Sequence, residues 1–148
     1  MPSIANATSI VDSTSAGLSD TGLSFVAKAG YLYEFKGSMV LTSAATTTGP
    51  AMAIDVPASP TLFVARARAL TTTTVGTDNE EVDATVTDAD QMTFTTSLST
   101  AGTIVEFAGY ITPSVAGEVK IQFNTEVNAS AVTFKGGRLD FTEIGLAA

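Results

Sequence analysis

An all-β fold, an antiparallel β-sandwich or jelly roll of about eight strands, is predicted by this sequence. Three observations predict it. Apolar and polar residues alternate with a period of two through most of the chain, as in half-buried strands. The runs are short and recur about every 8–12 residues, separated by Gly, Pro and Asn turn signals. No stretch carries the apolar spacing of a convincing amphipathic helix.

Residues 1–22 read as a separate segment. They are small and polar, with isolated Ile4, Ile10, Val11 and Leu18, and no sustained period runs through them. Their composition predicts an extended N-terminal arm ahead of a sandwich domain over 23–148. Ordering about 20 residues costs roughly 1–2 kcal/mol each. At ~25 cal/mol per Å², apolar burial on the order of 1,000 Å² is needed to offset that. The scattered Ile and Leu of the arm can hardly supply it on the chain's own surface. The arm is therefore expected to clamp a neighbouring subunit, with Ile4, Ile10, Val11 and Leu18 as anchors. The alternative is that it folds back as an edge strand of its own domain.

The strands follow in order. Leu23–Ala27 is short and stops at Lys28-Ala29-Gly30. Tyr31, Tyr33, Phe35, Met39 and Leu41 then share one face against Glu34, Lys36 and Ser38, a long half-buried strand. Gly37 interrupts its apolar face and predicts a bulge or a close backbone approach. A Thr/Ser/Ala loop from Thr42 to Pro50 precedes Met52, Ile54 and Val56. Leu62, Val64, Arg66, Arg68 and Leu70 alternate with Phe63, Ala65, Ala67 and Ala69. Ala, Arg and Leu also favour helix there, but Pro57, Pro60 and the Thr71–Thr74 run argue for a strand, whose small Ala side would admit another sheet or subunit.

A polar stretch from Thr71 to Asp90 has room for a short Val82–Val86 strand, and Met92–Thr96 follows. Thr103–Thr112 sets Val105, Phe107, Gly109 and Ile111 against Ile104, Glu106, Ala108 and Tyr110, and Pro113 stops it. Val119, Ile121 and Phe123 face inward on the next strand. Val132 and Phe134 then form one strand, and Gly136-Gly137 leads to Leu139, Phe141 and Glu143 on another.

Composition narrows the function. The chain has no His, Cys or Trp among its 148 residues. It therefore lacks a side chain that titrates near neutrality when unperturbed, the usual soft metal ligands and a thiolate nucleophile. A charged fraction of 15% lies below the ~25% usual for soluble domains, which suits a surface covered by neighbours. Net charge is −8, and the seven Lys and Arg are scattered along the sequence. Direct nucleic-acid binding and adhesion to an anionic membrane are therefore not expected. No run of ~18 apolar residues is present, so no transmembrane helix is predicted. The first residues also lack the basic and apolar segments of a secretory signal.

Candidate chemistry is sparse. Asp78, Glu80, Glu81, Asp83, Asp88 and Asp90 gather in one stretch, but without the spacing or glycine of a calcium loop. They read as a solvated acidic loop. No pair of carboxylates converges as a glycosidase needs, and no Ser or Thr has a basic partner in a known motif. An enzyme is not expected, and no cofactor is called for. Arg66 and Arg68, two apart on one strand face, form the most compact cationic pair and suit an interface with a neighbour's carboxylates; salt bridges to the chain's own acidic excess would use them equally well.

Two stretches carry a resemblance. Thr42-Ser43-Ala44-Ala45-Thr46-Thr47-Thr48-Gly49 follows the aromatic strand Tyr31-x-Tyr33-x-Phe35. Near the C-terminus, Gly117-Glu118-Val119-Lys120-Ile121 leads to Glu126-Val127 and Ser130-Ala131-Val132-Thr133. Together they resemble small structural proteins of tailed bacteriophage virions, over roughly Tyr31 to Gly145. With the arm and the low charge, the resemblance implies a capsid decoration or cement protein on the virion surface, made in the host cytoplasm. Its partner would be the major capsid protein, and it would assemble as a homo-oligomer, a trimer. The alternative is a tail-associated module that binds host-surface carbohydrate, for which Tyr31, Tyr33 and Tyr110 are the available stacking residues.

Overall fold

A computed structural model of the chain describes residues 2–45, 48–70, 80–83, 92–93 and 102–148. The first strands are β1 (Ser3–Asn6), β2 (Ile10–Asp12), β3 (Ser19–Ala27), β4 (Tyr31–Ser43) and β5 (Pro50–Asp55). They are followed by β6 (Leu62–Leu70), β7 (Glu80–Asp83), β8 (Met92–Thr93), β9 (Thr103–Thr112), β10 (Gly117–Thr125) and β11 (Val132–Leu146). There is no helix among the described residues. One sheet runs β1-β11-β4-β9-β6-β7, with β2 also on β11, and the other runs β3-β10-β5-β8. Every pairing is antiparallel.

This order is a jelly roll. If β1 and β2 together count as the first strand, the larger sheet runs first, eighth, third, sixth, and the smaller runs second, seventh, fourth, fifth. That is the arrangement of two interleaved Greek keys. The β6–β7 hairpin is an insertion after the fourth strand that widens the larger sheet beyond β9. The strand count exceeds the expected eight because of this insertion and because the first strand is broken in two.

The N-terminal arm expected over 1–22 is corrected by this topology. Ser3–Asn6 pairs with Asp140–Gly137 and Ile10–Asp12 pairs with Phe134–Val132, all within the same chain, and β3 already begins at Ser19. The segment is the strand a jelly roll requires beside its last one. Composition undervalued it because its ordering rests on backbone pairing and polar ties more than on apolar area. Asn6 donates from Nδ2 to the Thr21 carbonyl at 2.6 Å, bridging the sheets. Asp12, only 5% exposed, accepts from the Thr14 amide, the Ser19 hydroxyl and the Thr125 amide at 3.2, 2.7 and 3.3 Å.

A second correction concerns the C-terminal strands. Val132–Phe134 and Leu139–Glu143 belong to one strand, and Gly136 marks a register shift within it. Phe134 and Leu139 are both buried although they are five residues apart, an odd interval that a regular strand would place on opposite faces. The extra bulge residue resets the parity. Gly136, at φ 144°, supplies the backbone it needs.

The core between the sheets follows the alternation. Leu23, Phe25 and Ala27 pack with Tyr33, Phe35, Met39 and Leu41, and with Val105, Phe107, Ile111, Val119, Ile121 and Phe123. Phe25 stacks on Phe141 at 4.5 Å between ring centroids and lies 5.7 Å from Tyr33. Ala65, Ala67 and Ala69 also face this core, so the small side of β6 is buried within the domain.

Gly37 is a close approach and not a bulge. Gly37 pairs with Phe107 and Phe35 pairs with Gly109 on β4 and β9. A Cβ at Gly37 would stand 2.6 Å from the Phe107 ring, and one at Gly109 would stand 2.6 Å from the Phe35 ring. Each glycine therefore makes space for the phenylalanine opposite.

Of the acidic stretch Asp78–Asp90, only Glu80–Asp83 lies within the described residues, as β7. It overlaps the short strand expected at Val82–Val86. The cation question and most of the Met92–Thr96 expectation lie outside the described residues.

Candidate functional site

The inward side of the larger sheet is occupied by the core, so its outer face is what the molecule presents. Register places the outward residues in rows across the strands. Arg138, Ser38, Glu106 and Arg68 form one row. Asp140, Lys36, Ala108 and Arg66 form the next. Thr142, Glu34, Tyr110 and Val64 form the third. The first two rows surround a shallow cleft of about 590 Å³ lined by Lys36, Ser38, Arg66, Arg68, Glu106 and Asp140.

Of the seven basic residues in this chain of net charge −8, Lys36, Arg66 and Arg68 line the cleft and Arg138 adjoins it. Four cations meet two carboxylates, Glu106 and Asp140. Arg68 donates from Nε to Glu106 at 2.6 Å, and Arg138 donates from Nε to Asp140 at 2.8 Å. Lys36 adds a more distant attraction to Asp140. Arg66 is exposed and has no ion-pair partner among the described residues.

The Asp140 carboxyl is held below the usual carboxylate range, first by the Ser3 hydroxyl and next by Arg138. A depressed folded-state value stabilises above the ordinary carboxylate range and is lost as pH falls through the folded value. Since Ser3 belongs to β1, this contact helps hold that strand to β11. We expect the melting-temperature gap between the native chain and Asp140→Asn to be constant near neutrality and to close on acidification. A gap independent of pH would show that the contact contributes nothing.

Apolar residues flank the charged rows. Val64, Leu62 and Tyr110 are exposed toward one end of the face, with Ile144 and Leu146 beside them, and Val40 and Ile104 are exposed toward the other. These exposed apolar side chains beside the charged rows leave apolar area on this face open to solvent.

Neither a protein-family model, nor a curated sequence, nor a solved structure matches this chain.

The expected interface residues separate into two groups. Arg66 and Arg68 lie together on the outer face. Ile4 and Ile10 pack against the chain's own core, Leu18 is half-buried before β3, and Val11 is 63% exposed on β2. The structure thus leaves Val11 alone among the four anchors as an outward apolar group. Lys36, Glu106, Arg138 and Asp140 had no distinguishing signal in the sequence beyond their polar positions in an alternation; only cross-strand register brings them together.

The carbohydrate platform loses one of its three tyrosines. Tyr33 is 2% exposed, its hydroxyl accepting from the Lys28 amide at 3.0 Å and donating to Glu143 at 3.1 Å. Tyr31 is half-buried with the Lys28 ammonium 5.3 Å from its ring centroid. Tyr110 alone is exposed, at 42%. No two exposed tyrosines converge on a cleft.

Proposed function

We propose that this chain is a structural module of a tailed-phage virion, a capsid decoration or cement protein that docks on the major capsid protein through the outer face of its larger sheet. The observation that carries the reading is that face: basic residues concentrated on it in an acidic molecule, with exposed Val64, Tyr110, Val40 and Ile104 around them. The resemblance over Tyr31–Gly145 supplies the virion context. Viral capsid domains and lectins both use jelly rolls, and a fold alone does not choose between them. The tyrosine arrangement favours protein contact over sugar.

The mechanism differs from an arm clamp. A rigid sheet meets the shell, and the apolar residues contribute area while the charged rows fix its register. A copy that touches two capsid subunits makes its second contact at high effective concentration, so modest contacts hold subunits together. A trimer of the chain would multiply this effect.

Cosedimentation with capsid shells of the same phage, stripped of accessory proteins, tests the reading. Native protein should pellet with shells. Val64→Asp should weaken binding by at least about tenfold, or 1.4 kcal/mol, while Val26→Asp on the outside of β3 should bind normally. Failure of native protein to pellet, or loss caused by Val26→Asp alone, would rule the reading out.

A further inference from the structure

The second row of the outer face holds an arrangement with a more specific use. Lys36, Ala108 and Arg66 are direct cross-strand neighbours, in that order, on β4, β9 and β6. Adjacent strands lie about 4.8 Å apart, so the two cationic stems rise roughly 10 Å from one another. Between them stands only the methyl group of Ala108. In the neighbouring row the equivalent middle position is Glu106, which fills the gap and is held by Arg68. Where the Glu106 row has Ser38 and Arg68 as flanks, the Ala108 row has a cation on both sides, Lys36 and Arg66, and no carboxylate at its centre.

We infer that Lys36 and Arg66 form a receptor for a carboxylate carried on an acidic segment of the docked partner protein, seated over Ala108. In this position the incoming group takes the place that Glu106 occupies one row away. The inference rests on the docking face proposed above and specifies its partner chemistry. Charge complementarity selects the occupant. The cleft carries more cations than carboxylates, and both Lys36 and Arg66 lack an ion-pair partner within 4 Å among the described residues. A planar guanidinium binds a carboxylate through two parallel hydrogen bonds, and the Lys36 ammonium adds a point charge from the opposite side.

The molecule's overall charge of −8 repels free anions. At 0.1 M salt that repulsion is screened beyond about 10 Å, whereas charges inside a cleft act at shorter range. The receptor therefore operates once surfaces have met, and it sets orientation and partner choice more than capture from solution.

Nuclear magnetic resonance with ¹⁵N-labelled full-length protein tests this with hexaglutamate as probe, at about 0.1 M salt. Titration should move the Arg66 Nε–Hε and Ala108 amide signals along one saturable curve. Arg66→Ala and Lys36→Ala should each weaken the fitted affinity by about tenfold, with unchanged signals from the core showing that the variants are folded. Lys120→Ala, on the other sheet and beside Asp55, should leave it unchanged. No saturable shift, an unchanged affinity in Arg66→Ala, or equal movement at every cation would overturn the receptor. Tighter binding of hexagalacturonate or inorganic phosphate than of hexaglutamate would overturn the assignment to a protein carboxylate. Because the titration contains no shells, its failure beside intact shell binding removes the receptor alone.

Discussion

Gly37→Ala is expected to destabilise the protein by about 3 kcal/mol, at the upper end of what overpacking a core produces. The new methyl would enter space held by the Arg138 carbonyl and by the Phe107 ring, 2.6 Å away. The carbonyl belongs to β11, which pairs with β4 along most of its length, so it cannot withdraw without loosening that ladder. The ring is buried against the core and cannot swing outward. Thermal unfolding should show a midpoint lower by roughly 10 °C for a domain of this size. Gly17→Ala is the natural comparison, because nothing lies within 4 Å of the added methyl there, and its midpoint should stay near that of the native protein. If both variants melt together, the reciprocal Phe–Gly packing between β4 and β9 is not what holds these strands in contact.

Asp12→Ala is expected to lose a similar amount, about 3 kcal/mol, for a different reason. Its carboxylate accepts three hydrogen bonds from donors on three parts of the chain: Thr14 in the following loop, Ser19 at the start of β3, and Thr125 at the end of β10. Hydrogen bonds to a charged group are worth about 1.5–3 kcal/mol each, and a buried donor left without a partner adds its own penalty. Thr125 is fully buried, so its amide has no solvent to turn to. Asp12→Asn keeps an acceptor oxygen for the two amides, and its amide group can donate to the Ser19 hydroxyl. It should therefore recover most of the loss in a urea titration. Equal midpoints for the alanine and asparagine variants would mean that the carboxylate is not the fastening between these elements.

The two residues illustrate what a sequence of this kind discloses. The class of fold was legible because Tyr33, Phe35, Met39 and Leu41, or Val105, Phe107 and Ile111, repeat at the strand period over long stretches. Gly37 was legible as an exception to that period, although only the partner strand shows which side chain fills the gap. Asp12 was not legible. It sits among Ser, Thr and Asp residues that look like solvated linker, and its burial depends on Thr125, more than a hundred positions away.

The same limit applies to the outer face. Arg66 and Arg68 declared themselves by adjacency on one strand. Lys36 and Arg138 are separated from them by tens of residues and join them through register alone. The strands within residues 1–22 are hidden in the sequence for a related reason. Strand pairing satisfies backbone groups whatever the side chains are, and so leaves little trace in composition. The β11 bulge shows the converse error, a Gly-Gly pair read as a break where the chain continues straight on through an extra residue.

Pairing of Ser3 with Asp140 also has a bearing on biosynthesis. β1 must wait for β11, and β4 likewise lacks one of its two neighbours until β11 has been translated. Closure therefore comes only after β11 has been made, and contacts this distant along the chain make for slow folding. During that interval the bare flank of β4 is open to other nascent chains. Yield in a heterologous host should therefore depend on crowding and chaperone supply, even though the finished molecule is well buried.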